Sequence, residues 1–351
     1  MGSICGGKQV RSGRLRSATL LSTFAVLAAL CLPAFGSASA ATTKPISASG
    51  SSSAATIKPI TVAFVTGEFT DPFFTAMHCG MIAGAKAAKV HLIWEGTPLA
   101  DDTSVLQVLD AVMTEKPAGL MFEPFDSTGE VAPLQAVVKT GIPVVIVDGS
   151  LARKVGIQNP HTDSFAAGKA AGALMASKIT AGGVVGVVSD RPSNSVQDLR
   201  YRGFEAGLKA ADPTVKFLPI QYAGTSTSDA ATDVGAWIVA NTDLRGVFAS
   251  AGPLGSGAAS AVDAAGMKGK ILVYSYDTEP YEVSSLKQGE QQVLIGQSPY
   301  TEGYHSVVIL SQVLRHQVNL KVPYEYYTPF KLITLQNVNT AAAKPFIYKS
   351  C

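Results

Sequence analysis

Residues 59–74 read PITVAFVTGEFTDPFF, and they indicate the class of fold. Ile60 to Val65 is a nearly all-apolar run with β-branched residues, which is typical of a strand buried on both faces of a sheet. A polar turn follows, and the alanine-rich segment from Phe73 to Ala88 predicts a helix. The order strand, polar turn, helix is the repeating unit of an α/β fold with parallel strands.

The same unit recurs along the chain. Further pairs of strand and helix are predicted at 90–94 and 103–114, 119–122 and 129–139, 144–147 and 163–179, and 184–188 and 198–211. Strands and helices then alternate over 216–221, 229–241, 246–250, 257–265 and 271–275, with a last strand at 293–297. Because the rhythm breaks between Val155 and His161, we predict two successive open α/β sheets.

The first 40 residues have the composition of an export signal. Four basic residues precede an apolar run from Ala18 to Phe35, and Ala38-Ser39-Ala40 forms a small-residue cleavage site. We therefore predict a signal peptide at residues 1–40 and a flexible spacer at residues 41–58. The alternatives are a retained membrane anchor and a lipoprotein processed at Cys31.

The charge of the chain argues against a nucleic-acid partner. The 351 residues include 28 basic and 26 acidic side chains. Four of the basic side chains and none of the acidic ones lie in the predicted signal peptide, so the remainder is slightly acidic. It also lacks a basic stripe interleaved with aromatic residues, so we predict no nucleic-acid binding.

Motifs for catalysis are nearly absent. The glycine-rich segment 252–257 lacks the lysine of a phosphate-binding loop, and Ser256 lacks the flanking glycines of a nucleophile elbow. The five histidines do not have the spacing of a metal site. We therefore predict no metal and no cofactor. Paired carboxylates at strand ends leave one enzymatic alternative open, a secreted glycosidase.

Polar and aromatic residues follow the predicted strands. Ligands of open parallel sheets bind outside the carboxyl ends of the strands, so these residues are candidates for a binding site. They include Asp71, Phe73, Phe74, Glu123, Asp148 and Asp277.

Several of these residues belong to motifs of a known family. With Asp71-Pro72-Phe73-Phe74, the chain resembles the ribose-type periplasmic binding proteins, which are solute receptors of bacterial sugar ABC transporters. The resemblance extends from about Pro59 to Val338 and follows the order of the family's motifs. Further matching segments are Glu123-Pro124, Gly141-Ile142-Pro143-Val144 before Asp148, Thr162-Asp163-Ser164, Arg200-Tyr201-Arg202-Gly203-Phe204, Asp277 and Gln297.

The resemblance implies a two-domain fold. Two doubly wound parallel-sheet domains would enclose a ligand cleft and be joined by three hinge crossings, near 159–162, 297–299 and 326–329. The implied domains comprise residues 59–161 plus 298–326, and residues 162–297 plus 327–351.

The resemblance also implies a set of ligand-binding residues. Aromatic side chains would cover the apolar face of a sugar, while charged and amide groups would bond its hydroxyls. The set is Asp71, Phe73, Phe74, Glu123, Asp148, Asp163, Arg200, Asp277 and Gln297. Glu123 and Asp163 could instead cap helices. Two departures, Gly149 for an arginine and Ala251 for an asparagine, argue against D-ribose, and the excess of carboxylates argues against sugar phosphates.

The implied function is that of an exported, monomeric, non-enzymatic receptor in the periplasm or at the cell surface. It would close over a small neutral sugar or polyol and deliver it to the permease of an ABC transporter. Alternatives are a receptor for autoinducer-2 or another solute, and the ligand-sensing half of a repressor.

The tail at 339–351 extends beyond the family's usual end, and we predict a disulfide between Cys79 and Cys351. The alternative is a buried Cys79 with a free thiol at Cys351.

Overall fold

The computed structural model describes residues 59–351, apart from residues 100, 193 and 318–321. The predicted signal peptide and spacer lie outside these residues. Over the described ranges, no helix is both long enough and apolar enough to cross a bilayer.

The first sheet consists of four parallel strands with helices on both faces. Its elements are β1 (Thr61–Thr66), α1 (Pro72–Ala88), β2 (His91–Gly96), α2 (Asp102–Thr114), β3 (Gly119–Phe122), α3 (Val131–Lys139) and β4 (Val144–Ile146), with strand order β2-β1-β3-β4. Val62 and Phe64 pack with residues of α1, whereas Ala63 and Val65 pack with residues of α2 and α3. Coverage of both faces explains why β1 is apolar on both sides.

The second sheet is larger and is also covered on both faces. Its strands are β6 (Val184–Ser189), β7 (Lys216–Phe217), β8 (Gln221–Tyr222), β9 (Leu244–Ala249), β10 (Leu272–Tyr276), β11 (Val293–Gly296) and β13 (Lys331–Ile333). Its helices are α4 (Ser164–Ala176), α5 (Ser195–Ala211), α6 (Thr227–Ala240), α7 (Gly252–Ala264) and α8 (Pro280–Gln288). The strand order is β13-β11-β10-β9-β6-β7, β8 also pairs with β6, and β13 alone is antiparallel to its neighbour.

Three passages of the chain connect the sheets. The first runs from β4 through β5 (Asn159–Thr162) into α4. The second runs from β11 into α9 (Pro299–Leu314), which packs against α1. The third runs through β12 (Glu325–Thr328), which pairs with β5, to β13. The predicted fold class, two doubly wound parallel-sheet domains joined by three crossings, is confirmed.

The C-terminal tail adds a covalent connection. Cys351 forms a disulfide with Cys79 of α1, with their Cα atoms 5.6 Å apart, which confirms the predicted bridge. The predicted domain bounds stay a prediction. Cys351, the last residue of the predicted second domain, is bonded to a helix that packs on the first sheet.

Helices α4 and α5 approach each other closely. A Cβ at Gly168 would collide with the carbonyl oxygen of Arg200, and a Cβ at Gly203 would collide with that of Phe165. Glycine at these positions therefore lets the two backbones touch, and this contact fixes the helix that carries Arg200.

Several predicted elements differ from the structure. The single strand expected at 216–221 is two short strands, and α7 begins at Gly252 rather than Gly257 because Pro253 suits a first helical turn. Helices α8 and α9 were not predicted. Helix α8 has few apolar residues and so lacks the periodicity on which the sequence prediction depended.

Candidate ligand-binding site

A cavity lies between the two sheets, at the carboxyl ends of their strands. Eight of the nine predicted site residues line it: Asp71, Phe73, Phe74, Glu123, Asp148, Arg200, Asp277 and Gln297. The empty space amounts to about 690 Å³ when the part open to solvent is included. This is the location at which open parallel sheets bind ligands.

Asp163 is the predicted residue that does not line the cavity. Its carboxylate accepts a hydrogen bond from the backbone N–H of Ala166, at 2.9 Å, and caps the start of α4. This contact is the helix-cap alternative that the sequence left open. Asp163 therefore has no place among the residues that the fold brings together.

The aromatic wall of the cavity is formed by the start of α1. The Asp71 carboxylate accepts a hydrogen bond of 2.8 Å from the Phe73 N–H and so begins the helix. The rings of Phe73 and Phe74 meet edge to face, with centroids 5.1 Å apart. Phe125, which the sequence analysis missed, also lines the cavity, and its ring centroid lies 6.2 Å from that of Phe74.

Two carboxyl groups follow adjacent strands β3 and β4. Glu123 accepts a hydrogen bond of 2.8 Å from the Thr66 hydroxyl, and burial together with the charge of Asp148 raises its pKa well above the usual range. Burial also raises the pKa of Asp148, although Arg200 opposes the shift. Asp148 has a left-handed backbone with φ of +58°. Such backbone strain at a non-glycine residue is characteristic of functional sites.

Arg200, Asp277 and Gln297 form the opposite wall. Arg200 donates from Nη1 to the Ser250 carbonyl at 2.9 Å, and the same atom lies 3.9 Å from Asp277 Oδ2. The guanidinium lies over the ring of Tyr276, 4.2 Å from its centroid. Gln297 donates from Nε2 to Asp277 Oδ1 at 2.7 Å. Asp277 also has a left-handed backbone, with φ of +80°.

Two polar atoms of this wall have no hydrogen-bond partner within the described part of the chain. They are Gln297 Oε1, an acceptor, and Arg200 Nε, a donor, and both are buried. A buried polar atom without a partner is costly, so each of these two cavity-lining residues keeps an unused hydrogen-bonding atom.

The cavity contains two further acids that the sequence analysis missed, Glu68 and Glu279. Burial, with the charge of Asp71 next, raises the pKa of Glu68 to about 7 and that of Glu279 to about 9. Burial also raises the pKa of Asp71 to about 6, and its carboxyl group is hydrogen-bonded to Glu279. Glu68 follows β1 in the polar turn and so carried a sequence signal. Glu279 resembles an ordinary helix cap in sequence and carried none.

The two departures from the family pattern have different spatial causes. A Cβ at Gly149 would collide with the Pro124 carbonyl oxygen, so the backbone leaves no room for an arginine side chain. Ala251 lines the cavity and offers no side-chain hydrogen-bonding group there.

Two hydrogen bonds join the segments that follow β3 and β4 to the segment that follows β6 and the start of α5. Arg191 Nη2 donates to the Phe125 carbonyl at 3.3 Å, and the Ser195 hydroxyl donates to the Ser150 carbonyl at 3.1 Å. The two sides of the cleft are therefore in direct contact in this structure. Among the described residues, no group of histidine, cysteine and acidic side chains has the arrangement of a metal site.

Comparisons with known proteins agree with this geometry. The D-allose-binding periplasmic protein of Escherichia coli is 24% identical over 295 residues, which cover 78% of this chain and 92% of that protein. The ribose import binding protein of Bacillus subtilis is 23% identical over 274 residues, covering 78% and 87%. A solute-binding protein of Agrobacterium vitis, solved with α-D-tagatopyranose, is 30% identical, with a TM-score of 0.76 and coverage of 83% and 99%.

A family model described as a periplasmic binding protein domain matches residues 62–317. Apart from β13, this match covers nearly all of both sheets, and it includes every described residue that lines the cavity. The chain therefore belongs to the periplasmic binding protein family.

Proposed function

We propose that this chain is an exported solute receptor that binds a small neutral sugar or polyol in the cavity and delivers it to the permease of an ABC transporter. It acts as a monomer in the periplasm or at the cell surface and carries out no chemical reaction. Closure of the two sheets around the ligand is the step that a permease would recognise.

The observation that carries the proposal is the combination of an aromatic wall with a polar wall. Phe73 and Phe74 offer ring surface to the C–H face of a sugar. Opposite them, the cavity is lined by Asp277, Gln297 and Arg200, whose side chains carry both acceptors and donors. A sugar has the complementary surface, an apolar face bordered by hydroxyls.

The acidic groups favour a neutral ligand over an anion. A pKa raised to about 9 keeps Glu279 protonated near neutral pH, so it can donate one hydrogen bond and accept others. Hydroxyl groups need both kinds of partner. A phosphate would instead meet the charge of the remaining carboxylates.

A binding screen tests the proposal. Purified protein lacking residues 1–40 would be screened by thermal shift against D-allose, D-ribose, D-tagatose, D-fucose, D-arabinose, polyols and autoinducer-2. Hits would be measured by isothermal titration calorimetry. We expect at least one neutral sugar or polyol to bind with micromolar affinity or better.

The binding screen and a hydrolysis assay together separate the alternative functions. Tight binding of autoinducer-2 without any sugar would favour a signal receptor of the same fold. Hydrolysis of aryl glycosides by the purified protein would show a glycosidase and contradict the proposal. Failure of the whole panel to bind would also contradict it.

A further inference from the structure

The C-terminal tail contacts residues that lie next to the ligand site. Near its end, Tyr348 N–H donates to the Thr278 carbonyl at 3.4 Å, and the Thr278 hydroxyl donates to the Phe346 carbonyl. These contacts join the tail to the segment that follows β10. Three residues after Tyr348, the Cys79–Cys351 disulfide joins the tail to helix α1. The tail therefore contacts both walls of the cavity.

Tyr348 connects the two walls at the level of single atoms. Its hydroxyl donates to Asp277 Oδ1 at 2.9 Å, and it accepts from the Gln297 backbone N–H at 3.4 Å. Its ring lies 5.7 Å, centroid to centroid, from the ring of Phe73. Tyr348 is buried and is not one of the residues that line the cavity. It therefore acts on the site through its neighbours.

The hydrogen bonds of Asp277 are divided between its two oxygens. Oδ1 accepts from both Tyr348 and the Gln297 side chain, whereas Oδ2 faces Arg200. Burial and the charge of Asp277 raise the pKa of the Tyr348 phenol well above its usual range, so the phenol keeps its proton and stays a donor. The orientation of the carboxylate thus depends on a residue outside the cavity.

We propose that Tyr348 is a positioning residue of the ligand site, which orients the Asp277 carboxylate toward the ligand, and that the Cys79–Cys351 disulfide holds Tyr348 in place. The inference rests on the proposed function, because it assumes that the cavity binds a sugar or polyol. The tail lies beyond residues 62–317, which match the family model, and through Tyr348 it would help to set the affinity for the ligand.

The test compares four proteins by calorimetry with the panel sugar that the wild type binds most tightly. Tyr348→Phe keeps the ring but loses the hydroxyl donor to a charged group, and we expect affinity to fall about tenfold. The Cys79→Ser/Cys351→Ser protein keeps the tail without its tether, and we expect its affinity to fall as well. The triple variant combines Tyr348→Phe with Cys79→Ser and Cys351→Ser. Its affinity should differ by less than about twofold from that of Tyr348→Phe, because both changes act through one hydroxyl.

The matched control is Tyr201→Phe. Tyr201 lies on the same helix as Arg200, is buried, and hydrogen-bonds Tyr222 rather than a cavity residue. Its replacement should lower the melting temperature without changing affinity, which separates loss of stability from loss of positioning.

Each outcome has a distinct meaning. Wild-type affinity in either Tyr348→Phe or the double cysteine variant overturns the inference, as do fully additive effects in the triple variant. If the wild type binds no member of the panel, the proposed function fails instead, before the variants are compared.

Discussion

Arg200 gives the sharpest test of the site. It is buried, and its guanidinium lowers the pKa of the buried Asp148 against the effect of burial. Replacement by alanine removes the cation that lies 3.9 Å from Asp277 and favours the charged form of Asp148. Truncating one partner of a buried charged group costs about 2–5 kcal/mol, which corresponds to a roughly 30- to 4,000-fold weaker affinity.

The control lies two residues away on the same helix. Arg202 has a side chain that is 63% exposed and pairs with Asp198 at 3.4 Å, so Arg202→Ala should leave affinity unchanged and alter stability by about 0–1 kcal/mol. Arg200→Met is a second variant, because it keeps an apolar stem over the Tyr276 ring while removing the charge.

Isothermal titration calorimetry at a temperature where all variants are folded measures the affinities, and circular dichroism checks folding. An affinity of Arg200→Ala within about threefold of the wild type would refute the reasoning. A larger loss for Arg202→Ala than for Arg200→Ala would refute it too, because the motif would then have been assigned to the wrong arginine.

Three further predictions follow from the described contacts. Asp163→Ala removes a helix cap, so urea titration should show a loss of about 1 kcal/mol, while calorimetry shows unchanged affinity. Removing the Cys79–Cys351 bridge, which spans 272 residues, should lower the free energy of unfolding by at most roughly 5–6 kcal/mol in the chain-entropy model; an unchanged urea midpoint would contradict this. Burial raises the pKa of Glu279 from 4.5 to about 9, so the folded state holds a proton that the unfolded state releases. The free energy of unfolding should therefore fall as the pH rises from 4.5 to about 9. The free energy of unfolding of the Glu279→Gln variant should fall less steeply over the same range.

Much of the fold could be read from local sequence. An apolar, β-branched run such as Ile60 to Val65 is typical of a strand covered on both faces, and the structure covers β1 with α1 on one face and with α2 and α3 on the other. Helix α8 could not be read in this way. It begins with a capping box between Glu279 and Glu282, and its short polar sequence has no apolar face long enough to predict it.

The candidate site was partly readable for the same reason. Asp71, Glu123, Asp148 and Asp277 each follow a strand, and parallel strands bring their carboxyl ends to one edge, so position along the chain indicated position in space. Arg200 and Gln297 were recognised only through a family resemblance. Asp163 matched the same resemblance, yet its local hydrogen bond to Ala166 caps a helix outside the cavity.

Local sequence indicated most strands and helices of the α/β fold and the strand ends that carry polar groups, because these depend on neighbouring residues. The contact of Glu279 with Asp71 and the hydrogen bond from Tyr348 to Asp277 arise only in the folded chain. These pairs come from distant parts of the chain, and their contact depends on how the two sheets and the tail pack. The raised pKa values of Glu279, Asp71 and Tyr348 have the same origin, because burial of a carboxyl or phenol exists only after the chain has folded.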